Sequence, residues 1–151
     1  MLILDFIGLF IFIAGFIIGL GSVTVIDIHG FLGRKSSYWT EATTRTHKVT
    51  KPLIWVGITL TIIGGVILYR DLPLSGIPLY HVIIATILIF NGLFLSFYVS
   101  PFLIKQELLG QQTKILPNSL QRKIMVSLIL SDISWWGGLA LLIWYIVHNF
   151  N

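Results

Sequence analysis

Four stretches of this chain, residues 2–28, 52–69, 79–102 and 124–150, are almost entirely apolar. Each is long enough to cross a bilayer, for which a helix needs about 20 mainly apolar residues within a range of about 17 to 25. A bilayer core offers no water to hydrogen-bond an open backbone, so spanning segments are helices or closed barrels. Continuous apolar runs of this length, without strand-like alternation, read as helices. Composition agrees: of 151 residues, 56% are hydrophobic and only 11% charged, with a mean hydropathy of +0.91. A soluble domain carries about 25% charged residues. The expected fold is therefore an all-α polytopic membrane protein, one transmembrane domain over residues 1–151, arranged as an antiparallel four-transmembrane-helix bundle. The run 52–69 is the shortest and is expected to stand nearly upright. No Lys or Arg precedes the first apolar run and no small-residue cleavage site follows it, so it reads as a retained span.

The basic residues set an orientation. Four spans put segments 29–51 and 103–123 on one side, and these hold Arg34, Lys35, Arg45, Lys48, Lys51, Lys105, Lys114, Arg122 and Lys123. Only Arg70 lies on the other side. Lys and Arg concentrate in cytoplasmic loops. Both termini are thus expected outside, in a multi-pass protein of the inner (cytoplasmic) membrane with loops 29–51 and 103–123 cytoplasmic. This topology accounts for the basic pI of 9.6, and no nucleic acid is expected as a partner. The expected partners are the lipid bilayer, anionic lipid headgroups, and other membrane subunits or further copies of the chain.

Boundary chemistry fits this division. Pro52 suits the first turn of the second span, where its missing N–H is not needed. Ser119, after Pro117 and Asn118, reads as an N-cap for the fourth span, and Thr40 as the cap of a short helix starting at Glu41. Lipid gives helices no hydrophobic reason to associate, so small residues mark contact faces. Such residues recur on every span: Gly8, Gly15, Gly19 and Ser22; Gly57, Thr61, Gly64 and Gly65; Ala85, Gly92 and Ser96; Ser127, Ser131, Ser134, Gly137 and Gly138. A faint similarity of the first span to the third, and of "IWVG" to "SWWG", is compatible with duplicated hairpins as found in transporters. In so biased a composition it is equally compatible with coincidence.

The four histidines are the cofactor-binding candidates. His29 and His47 fall near the basic side, His81 and His148 near the other. Neutral imidazole pairs ligate haem iron, and bundle cores are where such cofactors sit. Two interfacial pairs would hold b-type haem and pass electrons across the membrane. The plainer reading is four interfacial histidines that anchor at the headgroups. Asp132 and Asn91 are the deepest polar side chains. They read either as a polar path for a proton, ion or small solute or as interhelical hydrogen bonds. Asp5 and Asp27 lie nearer span ends, where a carboxylate reaches the headgroups. In the first basic segment, Glu41 and Arg45 form an i,i+4 pair, and Arg45, His47 and Lys48 could donate to a lipid phosphate. The absence of cysteine excludes disulfides, thiolate catalysis and Cys-ligated metals. None of the P-loop, H-E-x-x-H or G-x-S-x-G patterns is present. No catalytic or metal-binding residue is expected.

The first hairpin, "FIIGLGSVTVIDIHGFLGRKSSYWTEATTRTHKVTKPLIWVGITLTIIGG", resembles a group of small bacterial predicted four-span integral membrane proteins of unassigned function. Gly19, Gly21, Thr24, Asp27, Glu41, Trp55, Gly57 and Gly64 carry the likeness. The architecture is more distantly similar to copper-resistance-D-like and HemJ-like membrane proteins, a resemblance that implies b-type haem in some members. Those place a His near the start of span one, where this chain has Asp5. The functional expectation is a small integral membrane protein, a non-enzymatic transport-type protein or accessory subunit. The alternative is a haem-binding redox protein using the histidine pairs.

Overall fold

The computed structural model describes residues 2–149, apart from the side chains of Leu2 and Asn149. The chain forms α1 (Leu2–Gly33), α2 (Ser37–Leu68), α3 (Gly76–Phe94), a π-helical turn at Leu95–Val99, α4 (Ser100–Leu108) and α5 (Asn118–Asn149). The segment Gly76–Leu108 is continuously helical, so four long rods result, each long and apolar enough to cross a membrane. They pack antiparallel, which brings the two chain ends to one end of the bundle. This is a four-span membrane protein.

The rods are longer than the apolar runs. A helix of 32 residues extends about 48 Å, against about 30 Å of hydrocarbon. The excess lies at the basic end, and it replaces most of the expected loop 29–51. Only Arg34, Lys35 and Ser36 separate α1 from α2. Threonines make this reversal. The Oγ of Ser36 accepts from Trp39 N at 3.5 Å, and Thr40 Oγ1 donates to both Gly33 O (2.8 Å) and Ser36 O (3.0 Å). Thr43, Thr44 and Thr50 each donate to the carbonyl four residues back. Thr40 is thus a clamp inside α2 rather than its cap, and Pro52 lies fifteen residues into the helix rather than in its first turn. Ser119 does not cap α5 either: the helix begins at Asn118, and Pro117 O receives the N–H of Gln121.

The connection 109–117 begins with a left-handed glycine cap. Gly110 has φ +67°. Gly110 N donates to Glu107 O and Gln111 N to Gln106 O, the paired bonds that satisfy the last carbonyls of a helix.

The helices α1 and α2 form one zipped pair. A β-carbon on Gly8 would lie 2.9 Å from Leu68 N, one on Gly15 2.6 Å from Thr61 N, and one on Gly57 2.5 Å from Gly19 Cα. On Gly64 it would strike the backbone of Phe12. The facing positions 8, 12, 15, 19 and 57, 61, 64, 68 advance in steps of four, three and four. That heptad spacing keeps one seam in register along both helices. Trp135 of α5 is fully buried and sits flat over Gly19, with Phe16 against its edge at 5.8 Å. Phe12, Val23, Ile58, Leu88 and Leu142 complete this core, and a smaller one of Val99, Leu103 and Leu120 lies at the basic end. Gly137, expected on the packing face of the fourth span, has nothing near it, whereas Gly138 packs on Phe16 and Ile84. By contrast α2 and α3 touch only lightly. At the end opposite the basic one, Arg70 closes onto Asp5 at 2.8 Å.

Candidate polar cavity at the basic end

The heptad seam fixes which faces of α1 and α2 are left for other purposes. On α2, His47, Lys51 and Trp55 follow one another at i, i+4 and i+8, a single face. On α1, Asp27 lies six residues before the helix end, about 9 Å inside it. These two faces meet α5 and the π-turn around a cavity of about 100 Å³, enough for several water molecules. The π-turn follows from Pro101. Its ring has no N–H and would clash with the carbonyl four residues back in a regular helix. The chain widens instead, and Ser100 N bonds to Leu95 O. The widened turn supplies Leu95, Ser96 and Val99 to the wall, and α5 adds Gln121, Met125 and Leu128.

Two polar atoms in this wall are buried without any hydrogen-bond partner: Asp27 Oδ2 and His47 Nε2. Leaving such atoms unpaired costs about 1–3 kcal/mol each. Asp132 on α5 is half-buried and close enough to Asp27 to interact with it electrostatically. Lys51 Nζ donates to Ser100 Oγ at 3.3 Å. Arg34 and Gln121 line both this cavity and a hollow at the surface, so the cavity opens at the basic end between α1 and α5.

Trp55 closes the inner end. Its Nε1 donates to Ser96 Oγ at 3.1 Å, and its ring lies over Gly92, where a β-carbon would come within 3.2 Å. Beyond it the light α2–α3 seam opens into a second, largely apolar groove of about 390 Å³ lined by Thr61, Gly65, Tyr69, Ala85 and His81.

The four histidines occupy four different settings. His47 lines the inner cavity and His29 does not. His29 Nδ1 is 3.1 Å from Thr46 Oγ1, and its ring leans on Trp39. His81 is buried with both nitrogens engaged: Nε2 donates to Gly138 O at 2.9 Å, and Nδ1 accepts from Tyr69 OH at 3.1 Å. These bonds fix its tautomer. His148 is exposed, stacks on Trp144 and donates from Nδ1 to Trp144 O. Gly138, the partner of His81, lies ten residues or about 15 Å along α5 from His148. His47 faces the inner cavity and His81 the outer groove.

The remaining candidates are also placed. Asn91 and Ser127 bond each other twice, Asn91 Nδ2 donating to Ser127 O (3.1 Å) and Ser127 Oγ to Asn91 Oδ1 (2.6 Å). Asn91 is thereby an interhelical clamp. Arg45 is paired with Glu41 at 2.6 Å, and Lys48 with Glu107 at 2.7 Å, which ties α2 to α4. The sequence reading set Asp27 aside as a span-end acid. The i, i+4 repetition of His47, Lys51 and Trp55 was the signal that could have found this face.

Comparison with protein-family models, with curated proteins and with solved structures finds no match for this chain. The likenesses of the first hairpin rest on the quoted residues alone.

Proposed function

We propose that this four-span protein is a proton-linked transporter, taking up its proton at the inner cavity from the cytoplasmic side. One observation carries the reading: Asp27 Oδ2 and His47 Nε2, both buried and both unpartnered, line one cavity inside helices that cross a membrane. Ionisable residues that face the interior of a membrane bundle or a water-filled cavity mark ion and proton pathways. A carboxyl and an imidazole are also the side chains that exchange protons most readily near neutral pH. The asymmetry of Lys and Arg supports a cytoplasmic mouth for the cavity. The light seam between α2 and α3, with a hollow on either side of Trp55, gives a route that does not disturb the α1–α2 zipper.

The test uses purified protein in liposomes loaded with a pH-sensitive dye, with a potassium diffusion potential imposed by valinomycin. Proton uptake faster than in protein-free liposomes is expected. Asp27→Asn should abolish the excess and His47→Gln should reduce it. Equal rates in protein and protein-free liposomes, or an Asp27→Asn rate equal to the original, would overturn the reading.

A further inference from the structure

The hollow at the basic end between α1 and α5 holds two arginines with no acid opposite them. Arg34 directly follows α1 and Arg122 lies in the first turns of α5, and both line a surface space of about 370 Å³ with the amides of Asn118 and Gln121. Among the described residues neither guanidinium has an ion pair. The ion pairs among the described residues use Arg45, Lys48 and Arg70. Arg34 is held over the Phe31 ring, 5.9 Å from its centroid. Two unopposed cations facing one space repel each other unless an anion lies between them, and a guanidinium fork suits phosphate oxygens.

A second hollow, of about 360 Å³, adjoins this one and shares Arg122 and Val126 with it. It runs along the outside of α5 past Lys123, Ser127 and Phe94 to Leu130, and apart from its polar end beside Arg122 and Lys123 its surface is mainly apolar. Val126 is 67% exposed on this apolar surface. The junction therefore joins a cationic space at the end of the spans to an apolar channel beside a spanning helix.

We infer that these two hollows form one binding site for an anionic phospholipid, with its phosphate between Arg34 and Arg122 and an acyl chain along Val126 and Leu130. Free phosphate has the same headgroup chemistry, but the apolar channel favours the lipid. The site differs from the Arg45 and Lys48 contact expected from sequence, since both of those cations are neutralised within the chain. It adjoins the mouth of the inner cavity through Arg34 and Gln121, but lipid retention is read without any proton flux, so the two readings fail separately.

The probe is phosphatidylglycerol added to detergent-purified protein, with retained lipid counted by native mass spectrometry and phosphatidylcholine as the neutral comparison. Phosphatidylglycerol should be retained preferentially. The double variant Arg34→Gln/Arg122→Gln, both positions exposed, should weaken retention on the order of 30-fold, about fivefold for each cation. The double variant Arg45→Gln/Lys48→Gln removes the same charge elsewhere and should leave retention unchanged. Water-soluble glycerophosphate should fail to displace the lipid. Three results would overturn the site: no preference over phosphatidylcholine, equal weakening by both double variants, or displacement by glycerophosphate, which would mark a site for free anions.

Discussion

Asp27 and Asn91 have surroundings that their positions along the apolar runs do not announce, and the reason is local. Asn91 stands in the middle of the third apolar run, so depth alone made it conspicuous, and Ser127 engages both ends of its amide. Asp27 stood beside the expected end of the first span, yet α1 continues to Gly33, and α2, the π-turn and α5 close around its Oδ2. Hydropathy measures where apolar residues stop, not where a helix stops. Two expectations follow at this scale. Asn91→Ala should destabilise the bundle by about 1 kcal/mol, the usual worth of an interhelical hydrogen bond in a membrane, as measured by unfolding in mixed micelles, and should leave proton uptake intact. A loss of uptake at normal stability would return Asn91 to the polar path. Removal of the exposed Lys48–Glu107 pair should cost no more than about 1 kcal/mol, so a double-mutant cycle with a larger coupling energy would show that this latch carries more of the fold than its exposure implies.

The elements were legible in proportion to how local their causes are. The four spans, their order and the small-residue faces of the first two follow from periodicity and composition, and Gly15, Gly19, Gly57 and Gly64 all lie in the seam. The helical extension of α2 was hidden because threonine is a weak helix former that usually signals turns. Here successive threonines bond carbonyls four residues back and so belong to the helix they were expected to interrupt. The π-turn was equally hidden, since Pro101 announces a break but not its form. Seam and open positions can be told apart by one methyl group. Gly57→Ala would press a β-carbon onto the Gly19 backbone, where neither helix has a side chain to move aside, and should cost at least the 1–3 kcal/mol (about) typical of overpacking. Gly137→Ala meets open space and should be neutral or stabilising, by up to about 1 kcal/mol from helix propensity. Equal effects of the two substitutions on unfolding would mean that the α1–α2 seam is not the tight contact described.

At the scale of the whole molecule, one tight interface and one loose one divide the labour. The α1–α2 pair is locked by backbone contact, and α5 is anchored to it through Trp135. The side of the bundle where α2 meets α3 has little packing; the outer groove lies there, and the inner cavity lies at the basic end on the other side of Trp55. Trp55 is therefore the partition between two spaces that would otherwise run the length of the bundle. Sequence could not reveal this, because the partition depends on Gly92 and Ser96 coming opposite Trp55 from a helix some forty residues away. The lack of cysteine makes the arrangement testable with single introduced thiols. Ala85→Cys places one in the outer groove, and Ser37→Cys places one at the basic end as a control that also reports orientation. A membrane-impermeant maleimide added from the cytoplasmic side should label Ser37→Cys and leave Ala85→Cys unmodified. Replacing Trp55 by Ala removes both the indole over Gly92 and the bond to Ser96. In that background the two spaces should merge, and Ala85→Cys should become reactive from the cytoplasmic side. If Ala85→Cys reacts equally with and without Trp55, the partition lies elsewhere, and Ile58 with Leu88, both buried in the core beside it, would be the next residues to remove.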